Sequence, residues 1–197
     1  MKSSETEIYD LVKRIVDVTV ASAALVLLFP LMIVISAAIL LSNSGPVIFW
    51  SERVGRNGTI FHMPKFRSMK TDSPLEPTDQ IKDPHKYITR VGHTLRSYSL
   101  DELPQLLCVV TGDMSLVGPR PALSKQNKLL QMREKAGVNS LRPGVTGLAQ
   151  INGRDNLNET QKVNLDIQYL RKRSILLDFT ILLQTIPKML SKQGVEH

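Results

Sequence analysis

The chain has 197 residues, a formal net charge of +7, 22% charged and 5% aromatic residues, and a single cysteine. That length allows one compact domain with an appendage; one cysteine excludes an internal disulfide, and the four histidines lack the paired spacing of zinc sites. Residues 1–17 carry three basic and four acidic side chains and residues 18–51 carry none, so the positive excess lies beyond Ser51. A basic body beside an apolar anchor suits anionic headgroups or phosphorylated substrates. Few aromatics and no RNA- or DNA-binding signature argue against nucleic acid as a partner.

In chain order, the first predicted element is the uncharged run Val18–Leu41, VTVASAALVLLFPLMIVISAAILL, long enough to cross a bilayer as a helix. It is too long for a signal-peptide core and lacks a small-residue cleavage pattern. Pro30, near its middle, removes a backbone donor and predicts a kink. Two arrangements fit: a kinked span, or a re-entrant helix-break-helix with both ends on one face. Lys13 and Arg14 before the run and Arg53 and Arg56 after it put positive charge at both ends, as expected when both ends stay cytoplasmic.

Val47–Ser51 and Thr59–Phe66 are rich in β-formers and flank RVGRNG, where Gly55, Asn57 and Gly58 can supply positive φ; a β-hairpin is expected. Thr71–Pro84, with three prolines and four acids, reads as an exposed loop. Helices are expected over Thr89–Tyr98, Glu102–Val110, Leu123–Ala136, Glu159–Arg173 and Ser174–Lys192. The last has a broad apolar stripe interrupted by Pro187, suited to core burial or to the bilayer interface. The chain therefore divides into a membrane element, residues 1–43, and a catalytic domain, residues 44–197.

The chemistry concentrates between Arg96 and Pro121, RSYSLDELPQLLCVVTGDMSLVGPRP. Asp101 and Glu102 are adjacent acids at a helix start. The plain structural reading is capping: Ser99-x-x-Glu102 fits a capping box, and Asp101 could itself be the N-cap. The chemical reading is a carboxylate nucleophile toward phosphorus, or a pair sharing a divalent cation. Asp113 suits a tight turn. Arg120 lies between Pro119 and Pro121, which restrict its backbone and aim a guanidinium suited to phosphate. Lys65 and Arg67 close the second hairpin strand, as a solvated edge or as phosphate contacts. Arg142 to Arg154 forms a further loop, whose Gly144 and Gly147 permit close backbone approach.

Taken together, KRIVD (Lys13–Asp17), Pro30, SGPVIFWSERVGRNG (Ser44–Gly58), KFRSM (Lys65–Met69), RSYSLDELPQ (Arg96–Gln105), GDMSLVGPRP (Gly112–Pro121) and RPGVTGLAQINGR (Arg142–Arg154) make the chain resemble the bacterial sugar transferase family, monotopic phosphoglycosyl transferases. The resemblance runs from about Lys13 to Lys192. Without a multi-span N-terminal extension, the chain looks like the small form. It departs from the usual pattern at Cys108 (commonly Asn), Thr111 (frequently Lys) and Phe29 (Ser before the helix-breaking proline).

The resemblance implies an α+β, mostly α fold: a re-entrant helix broken at Pro30, a small β-hairpin, several short helices and an interfacial amphipathic C-terminal helix. It implies transfer of a sugar-1-phosphate from a nucleotide sugar to polyprenyl phosphate through a phosphosugar on Asp101. Glu102 would bind Mg²⁺ with Asp101; Lys65, Arg96 and Arg120 would hold phosphates. Pro119, Pro121, Arg142, Gly144, Gly147, Gln150 and Arg154 would form the substrate and nucleotide loops. The location implied is the cytoplasmic face of the bacterial inner membrane, among membrane lipids, with the product passing to downstream glycosyltransferases. A membrane phosphohydrolase using the same aspartate, and a scaffold whose acids are caps, are the rival readings.

Overall fold

The computed structural model describes residues 3–42, 45–74, 83–153 and 156–190. Helix α1 (Ser3–Ser42) runs through Pro30 as one helix. The interruption expected at Pro30 is absent from the helical backbone: a missing donor and ring clash can be absorbed within a long helix. Tyr9, Asp17, Ala21, Ile35 and Ile39 are all buried, and their spacing returns to one helix face. Segments on both sides of Pro30 therefore pack onto the domain. Ala21 joins a core with Val109, Met114 and Ile181, whereas Ile35 and Ile39 meet Phe66 and Leu95. The opposite face is bare: Val26, Leu27, Phe29, Val34 and Leu41 are exposed. Thr6–Ser42 is long and apolar enough to cross a membrane.

The hairpin is present. Strands β1 (Ile48–Val54) and β2 (Ile60–Phe66) pair antiparallel with Phe49 opposite Lys65 and Arg53 opposite Phe61. Positive φ falls on Asn57 and Gly58, while Gly55 is extended. Pro64 is tolerated because β2 is an edge strand of its three-stranded sheet. Thr89 caps α2 (Arg90–Ser97), its Oγ1 accepting from Gly92 N at 2.9 Å. Gly92 lies against Ser68, where a Cβ would come within 1.9 Å of the carbonyl oxygen, so α2 is seated directly on the end of the KFRS strand.

The helix expected over Glu102–Val110 is instead a 3₁₀ turn, Leu100–Gln105, leading into α3 (Leu106–Thr111). Pro104 inside the turn favours this tighter form, which buries Asp101 and Pro104 three residues apart on one side. Strand β3 (Ser115–Val117) pairs parallel with β5 (Gly144–Thr146), and β4 (Ala122–Leu123) adds to β1. The helix expected from Leu123 starts later, as α4 (Asn127–Lys135), because β4 claims Leu123. Then follow α5 (Leu148–Ile151), α6 (Glu159–Lys172), capped by a box between Asn158 and Gln161, and α7 (Ile175–Leu190). α7 buries Asp178 and Ile181 and exposes Leu176, Phe179, Leu183 and Ile186. Most of the expected loop Thr71–Pro84 lies outside the described residues.

The KRIVD segment ties α1 to the domain. Arg14 donates from Nη1 to Val109 O (2.6 Å) and from Nη2 to Val110 O (2.9 Å), satisfying carbonyls at the end of α3. Asp17 Oδ1 accepts from Leu116 N at 3.1 Å. Lys13 donates to Asp178, which also accepts from Tyr9 and Tyr169, so α1, α6 and α7 meet at one carboxylate.

Candidate active site

Two elements distant in sequence from the acid turn reach Glu102. Its Oε1 accepts from Lys65 Nζ at 2.7 Å and from Arg120 Nη2 at 3.1 Å. Lys65 arrives at the end of β2 and Arg120 from the loop between β3 and β4. Asp101, one residue earlier, is 9% exposed. Burial raises the pKa of its carboxyl; Lys65 opposes this, Glu102 adds to it, and Arg96 and Arg120 oppose it, leaving the net direction upward. Burial likewise lowers the pKa of Lys65, against the pull of Glu102 and Asp101. Four of the five residues expected to carry the chemistry thus share one small volume, and Arg96 is close enough to act on Asp101 electrostatically.

The capping alternative fails on geometry. Ser99 adopts left-handed backbone (φ 54°, ψ 24°) and makes no side-chain capping bond to the turn, and Asp101 lies within the turn, not ahead of it. Asp113 closes a local turn, as expected, by accepting from Thr111 Oγ1 at 2.7 Å. Cys108 is buried with Sγ 3.9 Å from His62 O; burial, reinforced by Asp113, pushes its thiol up to about 11.

Arg53 is a site residue that the sequence reading used only as a flanking charge. Its Nε donates to Ser51 Oγ (3.0 Å) and its Nη1 to Pro121 O (3.2 Å). Its pKa falls to about 10 through burial and the neighbouring Arg120, partly offset by Glu102. Strand parity carried the signal: in the observed register Arg53, Ser51, Met63 and Lys65 share the hairpin's inner face.

The second loop supports the first. Gly118 N donates to Thr146 O (2.9 Å) and Gly144 N to Pro119 O (2.8 Å). A Cβ on Gly144 would lie 2.1 Å from Gly118 N, and one on Gly147 would lie 2.0 Å from Gly118 O. The close approach these glycines permit is to the backbone of the arginine loop. Pro119 and Pro121 are both buried there. Arg142 donates from Nε to Gly112 O at 2.9 Å and lines a separate cavity with Tyr9, Lys13, Arg14 and Arg56. Burial and the charges of Arg56 and Arg14 lower its pKa. Both amide atoms of Gln150 are buried without a hydrogen-bond partner among the described residues. Pro30 is exposed in α1, and Arg154 lies outside the described residues.

Magnesium prefers oxygen ligands and is commonly held by one or two carboxylates with substrate phosphates completing its shell. Asp101 and Glu102 supply two adjacent carboxylates, and no group of three or more His, Cys, Asp or Glu occurs among the described residues. This donor set fits Mg²⁺ shared with a phosphorylated substrate, not a closed protein cage.

Comparison with known proteins bears on the family. The family described as bacterial sugar transferase matches residues 8–192. The chain is 40% identical over 200 residues to the exopolysaccharide production protein ExoY of Rhizobium meliloti (strain 1021), covering 92% of this chain and 87% of that one. It is 39% identical over 189 residues to the UDP-glucose:undecaprenyl-phosphate glucose-1-phosphate transferase of Caulobacter vibrioides, covering 92% and 71%. A protein of the same name from Escherichia coli (strain K12) is 40% identical over 185 residues, covering 90% of this chain and 40% of that one.

The burial of Asp101 has a measurable consequence. With its folded pKa above the unfolded value, ionisation costs folding free energy. That cost is absent below the unfolded pKa and grows as pH rises through the folded pKa. Asp101→Asn, which does not ionise, is therefore expected to melt at higher temperature than wild type at pH 8, with the gap closing as pH is lowered. Thermal unfolding across pH checks this. A variant less stable by about 1 kcal/mol at every pH would instead match a lost helix cap.

Proposed function

Because the chain belongs to the bacterial sugar transferase family, we propose that it is a phosphoglycosyl transferase. It moves a sugar-1-phosphate from a UDP-sugar to polyprenyl phosphate, the first membrane step in assembling a polysaccharide. The observation that carries this reading is the buried Asp101 beside Glu102, whose Oε1 is shared by Lys65 and Arg120. The printed names of relatives, which pair UDP-glucose with undecaprenyl phosphate, support the substrate classes.

The reaction is a double displacement. A carboxylate oxygen of Asp101 attacks the β-phosphorus of the nucleotide sugar. The bond from that phosphorus to the bridging oxygen breaks, and nucleoside monophosphate leaves with the electron pair. A terminal oxygen of polyprenyl phosphate then attacks the same phosphorus, the aspartyl bond breaks, and the carboxylate is restored with polyprenyl-diphosphate sugar as product. Once ionised, a carboxylate needs no base to activate it; Lys65, Arg96 and Arg120 favour that form of Asp101 against the cost of its burial. Lys65 and Arg120 meet the charge on the transferring phosphoryl oxygens, in a site where burial makes each interaction worth more than in water. Arg96 and Arg53 add to the same field. Asp101 and Glu102 would hold Mg²⁺, which when bound neutralises the diphosphate and lets it approach the acids.

The site works at a membrane because its acceptor and product are lipid-linked. Both halves of α1 dock on the domain while the outer face around Phe29 and Pro30 stays apolar and exposed. That pattern supports an insertion that leaves both ends of the unbroken α1 on the domain's side of the membrane; in the proposed re-entrant arrangement, that side is the cytoplasmic face of the inner membrane. The exposed apolar face of α7 supports a place in the interface beside it.

Incubated with a UDP-sugar panel, Mg²⁺ and polyprenyl phosphate, the protein is expected to release UMP and form a lipid-linked diphosphate sugar. Asp101→Asn should lose more than about 10³-fold in rate, and Arg120→Ala about 10²- to 10³-fold. UMP release that persists in Asp101→Asn would defeat the covalent scheme; phosphate release without a lipid acceptor would favour a hydrolase. For topology, Ser4→Cys and Thr71→Cys should both react with a membrane-impermeant reagent from the cytoplasmic side only. Labelling from opposite sides would exclude re-entry.

A further inference from the structure

Arg120 is fixed through its backbone as well as its side chain. Three consecutive carbonyls of its loop are taken by three different elements: Pro119 O by Gly144 N at 2.8 Å, Arg120 O by Arg133 Nη1 at 2.8 Å, and Pro121 O by Arg53 Nη1 at 3.2 Å. Gly144 belongs to the supporting strand and Arg53 to the site itself. Arg133 comes from elsewhere, on α4. It is buried, and its Nε and Nη2 grip Asp166 Oδ2 on α6 at 2.9 and 2.8 Å. Asp166 is 2% exposed.

Holding α4 to α6 does not require this pair. Leu129 and Val163 already pack between the helices with Ala122 in a small apolar cluster. A buried ion pair is costly to desolvate, and apolar residues of similar volume often serve as well or better. What apolar residues could not do is donate to the carbonyl of Arg120. A guanidinium can, because its rigid fork directs two N–H groups at a carboxylate and a third along another edge; a lysine ammonium offers no such fixed set.

We infer that Arg133, oriented by Asp166, is a positioning residue for phosphoryl transfer, setting through the Arg120 carbonyl where that guanidinium meets Glu102 and the substrate phosphate. The inference rests on the proposed transferase reading. Neither residue touches the reacting atoms; the pair acts from the opposite side of the arginine loop. The chain just after Arg120 is held as well: Ala122 and Leu123 pair with β1 as β4, and Ala122 joins the small apolar cluster.

The test is a double-mutant cycle on the full chain in detergent or nanodiscs. Arg133→Lys is expected to lower kcat for UMP release about 10- to 100-fold, with a smaller change in KM for the UDP-sugar, since displacement of a phosphate contact by an ångström is enough for such a loss. In an Arg120→Ala background the same change should cost less than about 2-fold, because the group it positions is gone. Asp166→Asn, which keeps an acceptor but not the charge, is expected to repeat this non-additivity and stands in if Arg133→Lys does not fold. Wild-type kcat in both variants, or equal losses with and without Arg120, would overturn the inference while leaving the transferase reading intact. Calorimetric binding of pyrophosphate separates the other cases. Binding weakened by Arg133→Lys only when Arg120 is present, in a protein that releases no UMP, would sustain the positioning role and reject the transferase. Neither turnover nor pyrophosphate binding in wild type would reject both.

Discussion

One carboxylate oxygen, Glu102 Oε1, lies between two cations that would otherwise repel each other. Lys65, Arg120 and the nearby Arg53 gather around this acid; the Lys65 side chain is mostly buried, and that of Arg120 is 38% exposed. The balance is incomplete: burial still moves Lys65 and Arg53 toward their neutral forms and Asp101 toward its protonated form. Lys65, Arg53 and Asp101 are therefore each held charged at a cost, which an anionic phosphate would relieve for the two cations and a divalent cation for the acid. That is the condition expected of a centre preorganised for phosphate and metal, and it distinguishes this acid pair from two solvated caps.

The scaffold beneath the site works mainly through backbone. Gly118, Gly144 and Gly147 allow two loops to approach more closely than any side chain would permit, and the carbonyls at 119, 120 and 121 are each occupied. Arg14 closes the end of α3 from the membrane helix, and Asp17 takes the amide of Leu116. The apolar helix α1 is thereby joined by directed hydrogen bonds to the end of α3, which follows the acid turn, and to β3, which precedes the arginine loop.

The features legible in the sequence were those set by local chemistry. Uncharged length marked α1, alternation and RVGRNG marked the hairpin, and prolines around an arginine marked a rigid loop. Periodicity could not see that Pro104 would tighten the acid helix into a 3₁₀ turn, nor that β4 would take Leu123 from the start of α4. Arg53 was hidden because a basic residue after an apolar run reads first as a membrane flank, and its role depends on register with β2. Arg133 and Asp166 sit 33 residues apart on helices that no short-range pattern connects. Arg142 sits in the expected loop, yet its side chain lines the cavity beside Arg14 and Arg56, with its Nε donating to Gly112 O.

The direct measurement is the intact mass of the wild-type protein trapped with UDP-sugar and Mg²⁺ before any polyprenyl phosphate is added. A carboxylate nucleophile at position 101 requires a new species heavier by one phosphosugar, mapping to the peptide containing Asp101 and vanishing when the lipid acceptor is supplied. Stoichiometric UMP formation with no mass increase, or an adduct mapping to any other residue, would contradict it.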